Sequence, residues 1–93
     1  MMNYTVILFK DSDCDLCKLM QTELVENPPD ADVEIVHVSR ENCSKKAELF
    51  GIDYYPTTII MNKDNVVIGR FLGFIDSNSI NINIKEYEAK CLV

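Results

Sequence analysis

Apolar residues fall along this chain in short runs and in a few helical stripes. The first run, Tyr4 to Phe9 (Tyr-Thr-Val-Ile-Leu-Phe), is continuous and β-branched, the pattern of a strand buried on both faces. Lys10 to Asp13 is polar and predicts a loop, with Ser12 or Asp13 as the cap of a helix that starts at Asp15. In that helix Cys17, Met20 and Leu24 form one apolar stripe with Leu16 and Leu19 beside it. Gln21, Glu23 and Glu26 are expected to face water. Asn27-Pro28-Pro29 stops the helix, because proline lacks an N–H and restricts the residue before it.

Val33 to Val38 predicts a second strand and Ser39 to Asn42 a link. Cys43, Ala47 and Phe50 mark a short second helix ended by Gly51. A turn-like Tyr54-Tyr55-Pro56 leads into a third strand, Thr57 to Met61. Asn62 to Asn65 is a polar hairpin turn, Val66 to Leu72 a fourth strand, and Gly73 its end. Asp76 or Ser77 can cap a last helix, in which Ile80, Ile84, Tyr87 and Cys91 repeat at helical spacing.

The order β-α-β-α-β-β-α predicts an α/β fold. The first β-α-β unit gives two parallel strands joined by a right-handed crossover, and the final hairpin adds antiparallel strands. Helices then cover both faces of a four-stranded mixed sheet. The chain has 93 residues with no repeat or linker, so one domain, 1–93, is expected.

Charge narrows the partners. The net charge of -6 repels phosphate backbones and anionic lipid, so neither nucleic acid nor a membrane surface is an expected partner. No run is long enough to span a bilayer, and the apolar start lacks the basic front and cleavage site of an export signal. A cytoplasmic monomer is the expectation. In a reducing compartment the four cysteines read as redox or metal residues, not as a disulfide framework.

The candidate chemistry is Cys14-Asp15-Leu16-Cys17. A Cys-x-x-Cys pair is common; its place between the first strand and the first helix gives it meaning. At a helix N-terminus free backbone N–H groups favour a thiolate, the reactive form of cysteine. Cys14 is therefore the expected nucleophile. Cys17, one turn on and on the apolar stripe, is the expected resolving thiol. Lys10 and Lys18 favour the thiolate, while Asp11, Asp13 and Asp15 oppose it. No metal is expected, since one such pair supplies only two of the four ligands of a closed zinc site. Cys43, Cys91 and His37 are the remaining soft candidates and lack ligand spacing. A metal or cluster shared between two copies is the alternative. Cys43 reads as a half-buried free thiol, Cys91 as a small core residue and His37 as a surface histidine.

Three segments together resemble the thioredoxin-like superfamily over nearly the whole chain. They are the strand–loop–Cys14-x-x-Cys17-Lys18–helix unit, the Tyr55-Pro56-Thr57 approach to the third strand, and Gly69-Arg70-Phe71-Leu72-Gly73. The run Ala47 to Thr58 is also very like that of thioredoxins. The resemblance implies a dithiol–disulfide oxidoreductase that reduces protein disulfides through a redox-active disulfide, with no bound cofactor. It implies a cis peptide at Pro56, and substrate contacts from Tyr55, Pro56, Asp15 and Leu16. Thioredoxin reductase or glutathione would supply electrons; ribonucleotide reductase or a peroxidase would be the client.

The sequence also departs from the family. Neither the Trp-Cys-Gly-Pro-Cys of thioredoxins nor the Cys-Pro-Tyr-Cys of glutaredoxins is present. The buried Asp that thioredoxins carry six residues before the first cysteine is Leu8 here. The chain starts at the central strand, as glutaredoxins do. Gly73-Phe74-Ile75-Asp76 keeps part of a glutaredoxin element, so Lys10, Tyr55, Pro56 and Asp76 are candidate contacts for glutathione as co-substrate. A glutathione-dependent glutaredoxin and a redox-inert peptide-binding module are the alternative functions.

Overall fold

The structure, a computed structural model, describes residues 3–38 and 45–91. Its elements run β1 (Thr5–Lys10), α1 (Asp15–Glu26), β2 (Asp32–His37), α2 (Lys45–Leu49), β3 (Thr57–Met61), β4 (Val67–Leu72) and α3 (Ser77–Cys91). The element order is the one the hydrophobic pattern predicts. The expected link Ser39 to Asn42 and the expected helix start at Cys43 lie outside the described residues.

One mixed sheet has the strand order β2-β1-β3-β4. β1 pairs with β2 in parallel and with β3 antiparallel, and β3 pairs with β4 antiparallel. Val6, Ile7, Leu8 and Phe9 of β1 are fully buried, as a strand with neighbours on both edges and cover on both faces must be. Alternate residues divide between two cores. Val6, Leu8 and Ile60 join Met20 and Leu24 of α1 and Ile80 and Ile84 of α3 on one face. Ile7, Phe9, Ile59 and Met61 join Ala47 of α2 on the other, with Phe50 and Tyr55 packed alongside. Each such buried aliphatic side chain contributes about 1.5–3 kcal/mol relative to exposure.

Several boundaries move by one residue. β1 starts at Thr5 and reaches Lys10, because Lys10 still pairs with His37. β2 runs Asp32–His37 instead of Val33 to Val38; the Asp32 N–H already donates to the Tyr4 carbonyl at 2.9 Å. β4 starts at Val67, since a bulge beside Ile60 and Met61 shifts the register. Val66 belongs to the turn, where its N–H donates to Asn62 Oδ1 at 3.0 Å. In the same turn Asn65 adopts a left-handed φ of 62°, which asparagine tolerates. Gly69 answers a close approach: a Cβ there would lie 2.6 Å from Asn83 Oδ1.

Two expectations for α1 fail. Ser12 and Asp13 do not cap it; Cys14 does, from an extended backbone, and its sulfur accepts the Cys17 N–H at 3.1 Å. Gln21 and Glu23 are half-buried instead of facing water, because each has a partner within the fold. Gln21 Oε1 accepts from Lys10 Nζ at 2.6 Å, and Glu23 Oε2 accepts from the Ser77 N–H at 2.9 Å. The helix does end at Asn27, before the two prolines.

Thr58 sits opposite Leu8 on the α1/α3 face, and its hydroxyl is buried with no hydrogen-bond partner. Removing that hydroxyl at nearly constant volume, Thr58→Val, is expected to be neutral or stabilising. Ile60→Ala, two residues along the same face, is expected to cost about 2–5 kcal/mol. Urea unfolding of the oxidised protein measures both.

Candidate functional site

The C-terminal end of β1 and the N-terminal end of α1 are joined by four residues, Asp11 to Cys14. Asp11 Oδ1 accepts the Ser12 N–H at 2.7 Å within this link. The link delivers Cys14 to the helix start. A disulfide joins Cys14 to Cys17, with Cα atoms 5.1 Å apart, inside the usual range for the bond. The two cysteines differ in exposure: Cys14 is half-buried, whereas Cys17 is 1% exposed. Cys17 shares the buried stripe of α1 with Met20 and Leu24.

Two further loops meet this corner. The Tyr55–Pro56 peptide bond is cis and immediately precedes β3. Thr57 Oγ1 donates to the Tyr54 carbonyl at 2.6 Å, and Pro56 itself is buried. The Pro56 carbonyl accepts the Gly73 N–H at 2.8 Å, which ties the β3 approach to the β4–α3 loop. Gly73 has φ +83°, a left-handed conformation that favours glycine, and its Cα faces Leu16, whose Cδ2 would lie 3.9 Å from an added Cβ. Leu16 lies between the two cysteines, so this contact brings the third loop against the disulfide. The Ile75 N–H to Met20 Sδ contact (3.5 Å) and the Ser77 N–H to Glu23 bond fasten the start of α3 to α1. Nothing in the sequence marks Glu23 for that role; a helical glutamate reads as solvated.

Each remaining candidate has a definite place. Asp15 is fully exposed and lies 3.8 Å from Lys18 Nζ, so Lys18 is directed to Asp15. Lys10 Nζ is held by Gln21. Asp76 stands before α3, where its Oδ1 accepts the Ser79 N–H at 2.7 Å. Hydrogen bonds from Ser79 hold the Asp76 carboxyl below the usual carboxylate range. Its capping role is thus occupied within the fold. His37 is exposed on the edge strand β2, and Leu8 is fully buried with no acid in its place. Cys43 lies outside the described residues. Cys91 ends α3, and its side chain is not among the described ones.

Burial pushes the Tyr55 phenol above its ordinary value, and the negative charges of Asp11 and Asp53 push the same way. The loop before the cysteines and the loop before β3 therefore share one electrostatic environment. No group of three His, Cys, Asp or Glu side chains suited to a metal occurs among the described residues. A cavity of about 230 Å³ lined by Asn3, Tyr4, Asn62, Lys63, Asp64 and Tyr87 lies at the opposite end of the sheet and holds no nucleophile. Among the described residues no helix is long and apolar enough to cross a membrane.

No protein-family model and no curated protein matches the chain. Solved structures do. Thioredoxin 1 from Thermosipho africanus is 28% identical, with a TM-score of 0.66 over 96% of this chain and 99% of that one. The chain has the thioredoxin fold. A mutant thioredoxin from Halobacterium salinarum superposes with a TM-score of 0.75 at 17% identity, over 92% of this chain and 75% of that one. The oxidised mitochondrial thioredoxin 3 of Saccharomyces cerevisiae gives 0.61 at 24% identity, over 92% and 80%. Thioredoxin-like redox chemistry is the activity that this fold and the Cys14–Cys17 disulfide support together.

The shared environment of the two loops is testable by titration. Asp53→Asn is expected to bring the Tyr55 phenol part of the way back toward its ordinary 10.0, the burial contribution remaining. Ultraviolet absorbance of tyrosinate in the variant and the parent measures the difference.

Proposed function

We propose that the chain is a thiol–disulfide oxidoreductase that reduces protein disulfides, in the manner of a thioredoxin. The observation that carries the reading is the Cys14–Cys17 disulfide at the N-terminus of α1, with Cys14 half-buried and Cys17 buried. In the reduced protein the Cys14 thiolate attacks one sulfur of the target disulfide. A mixed disulfide forms and the first target thiolate leaves. Cys17, deprotonated, then attacks Cys14 Sγ and displaces the second target thiolate. Two electrons pass to the target, and the internal disulfide is left for an electron donor to reduce.

Tyr55 and Pro56 border the substrate in this reading, with Asp15 and Leu16 on the other side. Protein substrates are favoured over glutathione because Asp76 is engaged with Ser79 and Lys10 with Gln21. The solved structures to which the chain is similar are also thioredoxins. A flavin-dependent thioredoxin reductase is the corresponding donor, and the chain acts as one domain.

Insulin reduction, driven in parallel by a thioredoxin reductase and by glutathione, tests the proposal. Turnover with the reductase is expected. Cys14→Ser is expected to abolish it, and Cys17→Ser to trap a covalent mixed disulfide that mass spectrometry detects. Absence of turnover with both donors contradicts the reading.

A further inference from the structure

The redox corner is ringed by side chains that a water-soluble protein does not ordinarily gather. Leu16 is 38% exposed, Tyr54 48%, Leu72 61% and Phe74 48%. They come from three separate segments. Leu16 is flanked by the cysteines, Tyr54 precedes the cis bond, and Leu72 and Phe74 flank Gly73, whose Cα faces Leu16. Exposed apolar side chains gathered at one corner from three segments mark a contact site. The segments that form this corner also carry Asp11, Asp13, Asp15, Asp53 and Asp76. The fields of Asp11 and Asp53 converge on Tyr55. The neighbouring lysines offset this rim only in part: Lys10 donates to Gln21 and keeps its charge, and Lys18 lies 3.8 Å from Asp15, which leaves two cations against five aspartates.

We infer that this apolar face receives an extended protein segment whose cystine is flanked by basic residues. The inference rests on the oxidoreductase reading and names the substrate class. Its apolar side chains cover Leu16, Leu72 and Phe74, while its lysines or arginines meet the aspartate rim. A second copy of this chain does not fit, since each carries a net charge of -6 and the facing rims repel. An anionic small disulfide is disfavoured for the same reason. Such complementarity acts on encounter and partner choice, and salt screens it.

The test uses two synthetic cystine peptides that differ only in having Lys or Glu beside the disulfide, with insulin as the reference for protein-disulfide reduction. At low ionic strength kcat/KM for the Lys peptide is expected to exceed that for the Glu peptide by about tenfold. The ratio is expected to shrink at high salt, and to fall in Asp13→Asn and Asp53→Asn proteins. Equal rates for the two peptides, or a preference that salt and both variants leave unchanged, overturn the inference while reduction of insulin continues. Failure to reduce insulin overturns the oxidoreductase reading and the inference with it.

Discussion

Everything at the redox corner depends on the fixing of β1. That strand is hydrogen-bonded on both edges, to β2 and to β3, and its four central side chains are fully buried. Its end therefore has little freedom, and the chain must leave the sheet at Lys10. After four linking residues a helix begins whose inward stripe, Cys17, Met20 and Leu24, packs back over the same sheet. A cysteine at that helix start is held at the rim of the core, and its partner one turn on is drawn beneath the surface. The difference in exposure between the two cysteines is a result of this packing. It needs no special residue beside them.

The rest of the structure braces the same corner. β3 places Pro56 at its start, and β4 places Gly73 at its end, because those two strands pair antiparallel with Thr57 opposite Leu72. The Gly73–Pro56 hydrogen bond closes the loops on each other. Glu23 reaches from the last turns of α1 to the first N–H groups of α3, so the third loop cannot drift from the disulfide without breaking a hydrogen bond to a carboxylate. Hydrogen bonds to charged groups are worth about 1.5–3 kcal/mol, more than neutral ones. The corner is thus assembled from three strand ends, those of β1, β3 and β4.

The pattern of apolar runs is enough to read the element order and the burial of the first strand, and the Cys-x-x-Cys spacing is enough to pair Cys14 with Cys17. β1 and β3 are legible because they are interior. Val6 to Phe9 and Thr57 to Met61 are buried at every position, and a short, continuous β-branched run suits a strand covered on both faces. β2 is less legible. Val33 and Ile35 are apolar yet substantially exposed, and alternation alone does not distinguish an edge strand from an inner one. The cap of α1 is hidden because sulfur is not a usual capping acceptor, so Ser12 and Asp13 look better placed. Glu23 and Gln21 are hidden for a related reason: their partners, Ser77 and Lys10, are distant in sequence and meet them only once the layers are packed. Cys14 and Cys17 come together through local helix spacing; the contribution of Tyr55, Pro56, Leu16 and Gly73 is tertiary.

The central claim is that the strand-to-helix junction presents Cys14 and shelters Cys17. Alkylation of the reduced, folded protein with iodoacetamide, quenched at intervals and mapped by peptide mass spectrometry, tests it directly. Rapid labelling is expected at Cys14, with Cys17 modified only slowly until the protein is unfolded. Equal labelling of the two, or earlier labelling of Cys17, would contradict it.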